Sequence, residues 1–155
     1  MTAPAVDRID AKIMSALQAE GRLSNQALAI RVSLSPSACL ARVRRLEKAG
    51  LILGYRAEIA LERVRSTVTI FAEVTLTQHH PADFARFERF IDAAPEVVES
   101  AQVSGPYDYL MRVVVGDMIG WRELSDRILT SDLGVGKISS HVLMKVAKGF
   151  APPPL

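Results

Sequence analysis

Along the first fifty residues the apolar positions recur at helical intervals. Ile9, Ile13 and Leu17 fall every four positions between Asp7 and Ala19, which predicts an amphipathic helix that Gly21 ends. Ser24 is an N-cap for a second, short helix whose buried side is Ala27, Leu28 and Val32. Ser35-Pro36 then pairs a capping oxygen with the residue best suited to a first helical position, so a third helix starts there and runs to Ala49, with Gly50 as its stop. Leu51 to Ala60 suits a short strand pair or an extended linker, and Leu61 to Ser66 (LERVRS) reads as a charged connection.

Beyond it the period changes to two. Val68, Ile70, Ala72, Val74 and Leu76 alternate with Thr69, Phe71, Glu73 and Thr75, a half-buried strand. Pro81 opens a helix with Phe84, Phe87 and Ile91 inward, and Pro95 lies just past its end. Val97 to Ser104 alternates again, with Val97, Glu99, Ala101 and Val103 on one side. The turn Gly105-Pro106 leads to a strand from Tyr107 to Val115, Asp117 to Thr130 is helical, and Gly134 to Gly136 precedes a last strand from Ile138 to Ala147. The order strand, helix, strand, strand, helix, strand predicts an α+β chain: an N-terminal winged helix-turn-helix domain in 1–54, a linker in 55–66, a ferredoxin-like βαββαβ domain in 67–150, and an extended tail in 151–155.

The third helix is the segment LSPSACLARVRRLEKAGLI, Leu34 to Ile52. At about 100° per residue, Cys39, Val43 and Leu46 form its buried stripe. Ser37, Ala41 and Lys48 lie opposite, Arg44 and Arg45 flank that face, Ala38 is further round, and Arg42 borders the core. Small residues at the leading end let a helix axis approach base edges, and long cations behind them reach phosphates. A short helix, a tight turn and a longer basic helix make a helix-turn-helix, so Ser35, Ser37, Ala38, Ala41, Arg42, Arg44, Arg45 and Lys48 are the DNA-binding candidates. Arg44 and Arg45 are the phosphate candidates among them.

Charge agrees with that division. The net +2 hides nine Lys/Arg against five Asp/Glu in residues 1–60 and ten against twelve in 61–155, a basic front on an acidic rear. The lone Cys39 excludes an intrachain disulfide and a multi-cysteine metal site, and is expected to be buried. No stretch approaches the ~20 apolar residues of a membrane span and no leader pattern opens the chain, so a cytoplasmic protein is expected. Three histidines without ligand spacing argue against a metal, and neither a nucleophile elbow, an HExxH pair nor a phosphate loop is present; no cofactor and no catalysis are expected. Phe71, on an otherwise polar strand face, suggests a covered sheet and a homodimer.

Over nearly its whole length the chain resembles the Lrp/AsnC (feast/famine) family of transcription regulators. The resemblance rests on Asp7-Arg8-Ile9-Asp10, on LSPSACLARVRRLEKAGLI, on Gly54-Tyr55-Arg56 and on Ser104 to Leu110 (SGPYDYL). It implies a DNA-binding regulator that dimerises through its second domain, assembles dimers into tetramers or octamers, and responds to a small molecule, an amino acid. It places the effector between dimers, near Gly105, Tyr107, Asp108, Asp117 and Ser140; by its chemistry a Gly-Pro turn with a carboxylate close by suits an amino acid, turn N–H groups holding the α-carboxylate and Asp108 or Asp117 the α-ammonium. Two departures stand out: Ser33 where the family's turn carries glycine, and Leu133-Gly134-Val135 followed by Ile138 where the family has Pro-Gly-Val and a hydroxyl, Ser140 being retained. A ligand-independent architectural DNA-binding protein is one alternative. A sirohaem-decarboxylase-like enzyme on the same scaffold is another, which the basic face of the third helix disfavours.

Overall fold

The computed structural model describes residues 5–154 and divides into two compact units, one reaching from the N-terminal side to Glu58 with the tail from Lys148, the other Ile59–Ala147. The first division falls inside the segment expected to be a linker. The tail 151–154 has no regular structure.

In the first unit α1 spans Arg8–Ala19, α2 Asn25–Arg31 and α3 Pro36–Lys48. Each start is fixed by a side chain that satisfies amides the helix cannot. Asp7 accepts from the N–H groups of Ile9 and Asp10, and Asp10 accepts in return from the Asp7 N–H at 3.1 Å. Ser24 accepts from Ala27 and Ser35 from Ala38, each at 3.2 Å. Ile13, Ala16, Leu28, Ala29, Val32, Cys39 and Leu46 close one small core, with Ile9, Leu17, Leu34, Val43 and Ile52 at its margin. Burial raises the pKa of the Cys39 thiol, as befits a core residue. Leu51 to Ala60 forms no strand ladder, and a single 3-10 turn follows at Leu61–Arg63.

The second unit has β1 Val68–Leu76, α4 Pro81–Ala93, β2 Val97–Gln102, β3 Tyr109–Val115, α5 Met118–Thr130 and β4 Val135–Val142. The strands form one antiparallel sheet in the order β2-β3-β1-β4, the ferredoxin-like arrangement. Ile70, Ala72, Val74, Tyr109, Met111 and Val113 point to one side, where Phe87 and Ile91 of α4 and Trp121, Leu124 and Ile128 of α5 cover them. Each of the larger aliphatic and aromatic side chains among these contributes about 1.5–3 kcal/mol by leaving water, so this layer dominates the unit's stability.

Three expectations change. In β2 the register shifts between Val97 and Glu99, so Val97 packs on the core while Glu99 and Ala101 face the other way: the bulge breaks the alternation that would put them together. The last strand begins at Val135 and ends at Val142, not at 138 and 147. Gly136 lies within the strand, where a Cβ would come to 2.8 Å from Thr77 Cγ2 and force that side chain to shift. Pairing stops once β1 runs out, Leu143 N–H to Thr69 O being the final bond. The third strand starts at Tyr109 because Gly105, at φ 140°, and Pro106 keep the preceding residues in a turn.

Candidate nucleic-acid interface and effector region

The connection from α2 to α3 is set by one backbone angle. Ser33 N–H bonds Ile30 O at 3.2 Å and Leu34 N–H reaches back to Ala29 O at 2.9 Å, the two-bond ending that requires a left-handed residue between them. Ser33 is that residue, at φ 57°. The same ending closes α3, where Leu51 N–H bonds Leu46 O at 2.9 Å and the left-handed residue is Gly50, at φ 68°. Asn25 of α2 also donates to the Pro36 carbonyl at 2.8 Å, tying the start of α3 to its neighbour. The helix-turn-helix is thereby held at its turn and at the next helix's first residue.

The exposed side of α3 matches the helical-wheel reading in its small residues. Ser35, Ser37, Ala38 and Ala41 are exposed, as are Arg44, Arg45 and Lys48, while Arg42 is half-buried. The cations are not equivalent. Arg42 Nη1 pairs with Asp7 Oδ2 at 2.6 Å and with Asp10 Oδ1 at 2.9 Å, and Arg45 Nη2 pairs with Asp10 Oδ2. Arg45 is therefore committed to a carboxylate of α1, although spacing alone pairs it with Arg44 as a free phosphate candidate. Glu47 is held by the Tyr55 hydroxyl at 3.0 Å, and burial, then Glu47, raises the Tyr55 pKa. Asp10 has a fully buried side chain. Burial pushes its pKa up, but the hydrogen bonds from Arg45, the Asp7 backbone and Arg42 outweigh this and bring it down to about 2. Sequence reading missed this role. The available signal was Asp7-Arg8-Ile9-Asp10: two carboxylates in one first turn, where a cap needs only one.

Two of the effector candidates, Asp108 and Asp117, are occupied by local structure. Asp108 Oδ2 accepts from Leu76 N–H at 2.7 Å and Oδ1 lies 2.9 Å from His79 Nε2, so the carboxylate ties the end of β1 to the turn before β3. His79 is thus a partner of the turn and not merely a loop residue. Asp117 caps α5 by accepting from Gly120 N–H at 2.9 Å. Tyr107 is half-buried, while neighbouring Tyr109 is buried and donates to Glu88 at 2.9 Å, burial raising its phenol pKa.

These five positions do not meet within one chain. Asp108 and Asp117 stand at opposite ends of β3, whose 7 residues span roughly 20 Å. Ser140 is exposed and pairs with Ala72, level with Met111 and two strands away from it, so it is near neither end. A cavity of about 450 Å³ between α4 and β2 is lined by Glu88, Asp92, Glu99, Ser100 and Gln102, and by none of the five. Among the described residues no three His, Cys, Asp or Glu side chains gather as metal ligands would, and no helix is long and apolar enough to cross a membrane.

Comparison with known proteins follows the same division. Residues 6–52 match the model of winged helix-turn-helix DNA-binding domains, and residues 69–152 that of the Lrp/AsnC ligand binding domain. The chain is 40% identical over 144 residues to the leucine-responsive regulatory protein of Haemophilus influenzae, covering 93% of this chain and 87% of that one. It is 39% identical over 143 residues to the protein of that name in Escherichia coli, with 92% and 87% covered. Among solved structures, a transcriptional regulator of Neisseria meningitidis in complex with L-methionine is similar at a TM-score of 0.88 and 32% identity, with 97% of each chain covered. A feast or famine regulatory protein of Mycobacterium tuberculosis complexed with L-methionine follows at 0.85 and 30%, covering 97% of this chain and 100% of that one.

Proposed function

Because this chain belongs to the Lrp/AsnC family of transcriptional regulators, with a helix-turn-helix unit and a ligand-binding unit, we propose that its effector is a free amino acid with an apolar side chain. It is a ligand-responsive DNA-binding regulator of transcription. The observation that carries the effector class is the pair of relatives solved with L-methionine, one of them alike over 97% of both chains. The Gly105 to Asp108 turn supports it: Pro106 has no N–H and the Asp108 N–H bonds Val74 O at 2.9 Å, which leaves Gly105 and Tyr107 as the turn's donors beside the Asp108 carboxylate.

Asp117 and Ser140 reach the same ligand as Gly105, Tyr107 and Asp108 only if copies of the chain assemble, so the regulator works as a homodimer built into a larger oligomer. On duplex DNA, α3 enters the major groove with Ser35, Ser37, Ala38 and Ala41 toward base edges and Arg44 and Lys48 toward phosphates. A symmetric dimer then reads a pseudo-palindromic site with half-sites one or more helical turns apart. It acts as a regulator in the cytoplasm, not as an enzyme.

The test is a thermal-shift screen against the twenty amino acids. A ligand at a hundred times its Kd stabilises the native state by about 2.7 kcal/mol, so L-methionine or L-leucine is expected to raise the melting temperature by several degrees. No shift with any amino acid overturns the effector class while leaving the family assignment in place.

A further inference from the structure

Four charges meet between α1 and α3. Asp7, Asp10, Arg42 and Arg45 form a formally neutral cluster around one fully buried carboxylate, which receives both guanidinium groups as well as the Asp7 backbone N–H. The cluster is not needed simply to join the helices. Ile13, Cys39 and Leu46, each at 1% exposure or less, already pack α1 against α3, and a buried ion pair is a poor substitute for that contact. Nor is the cluster remote from the outer face. Arg45 keeps 52% and Arg42 29% of its side chain exposed, and Asp7, Ala41, Arg42 and Arg45 line a depression of about 320 Å³, with Ala41 on the side read as facing DNA.

We infer that Asp10 is a positioning residue for DNA binding: an internal anion that stands in for phosphate, draws Arg42 and Arg45 back toward α1, and leaves Arg44 and Lys48 as the free cations of α3. This rests on the reading of α3 as the DNA-contacting helix. The physical consequence concerns the sequence-independent part of the affinity. Each cation that reaches a phosphate releases counterions, so it adds to binding on any sequence and carries no information. Two guanidinium groups held by a carboxylate are withdrawn from that term. Contacts at base edges, from the small residues at the leading end, then weigh more in the choice of site.

The experiment is titration of a random-sequence duplex with the full chain across a series of salt concentrations. Each phosphate contact contributes about 0.9 to the slope of log affinity against log salt. Asp10→Asn keeps the shape of the side chain and removes the charge, and is expected to steepen the slope by about 1 to 2 and to strengthen random-duplex binding at low salt. A merely structural role would weaken binding or leave the slope alone. An unchanged or shallower slope in a variant that still melts cooperatively overturns the inference. Should Asp10→Asn not fold, the native background decides it: Arg44→Gln is expected to flatten the slope by about 0.9, and Arg45→Gln by less than half of that. Equal flattening by the two overturns it. A native chain that binds no duplex at any salt overturns the DNA-contacting assignment of α3 itself, a result distinct from either slope.

Discussion

Ser33 carries a Cβ in a backbone conformation where that atom crowds the carbonyl, at a cost of about 1 kcal/mol relative to glycine. Gly50 performs the same task at the end of α3 without that cost. Ser33→Gly is therefore expected to stabilise the first unit by about 1 kcal/mol, less the entropy that glycine adds to the unfolded chain. The check is a thermal melt: the midpoint should rise by a few degrees, and a fall would mean that the Ser33 side chain makes a compensating contact. Gly105 is the opposite case, a glycine at φ 140° for which no other residue is a cheap replacement. The departure at residue 33 was legible through the family resemblance, which puts glycine in that turn. The angle itself came from the hydrogen bonds of Ser33 and Leu34.

Among the elements, α1 and α3 are coupled by an ionic contact whose strength depends on pH. The folded-state pKa of Asp10, about 2, lies below its ordinary value of 3.8. A lowered carboxylate pKa means stability that is fully present above the unfolded value and is lost as pH falls through the folded one. The contribution of Asp10 is accordingly constant at neutral pH and disappears between roughly pH 4 and pH 2. Comparing acid unfolding of the native chain with Asp10→Asn should show the two stability curves converging over that window. Parallel curves would place the acid-sensitive group elsewhere. At pH 7 the variant is expected to lose on the order of 3 kcal/mol, as when one partner of a buried pair is removed. Periodicity located these helices within a residue or two because caps and apolar spacing are local signals. It was silent on the contact, since residues 7 and 10 meet residues 42 and 45 only through the packing of the helices.

At the scale of the whole molecule, the sheet has one face covered by α4 and α5 and one without a helix. On the latter, Phe71, Leu110 and Val114 are half-buried in a single chain, amid Glu73, Arg112 and His141. A half-apolar sheet face of this kind is suited to a second copy. Phe71→Asp is expected to shift the protein toward monomer in light scattering coupled to size exclusion, with the helix content unchanged. If the native mass persists, assembly uses another surface. Loss of the assembly should also abolish any amino-acid response, because the effector candidates of one chain do not converge.

The residue order by itself determined the two-part organisation, the three N-terminal helices, the strand and helix sequence of the second unit, and the small-then-basic outer face of α3. These follow from apolar period, caps and turn residues, all of which act within a few positions along the chain. Tertiary structure decided what the functional side chains are free to do. It set Arg45 against Asp10, engaged Asp108 with Leu76 and His79, moved Glu99 off the face of Val97 by a bulge, and spread the effector candidates along β3 and β4. Each is a contact or register between residues distant along the chain or on adjacent strands. Charge and periodicity say which side chains are present and which face they occupy, but only packing fixes which of them already have a partner.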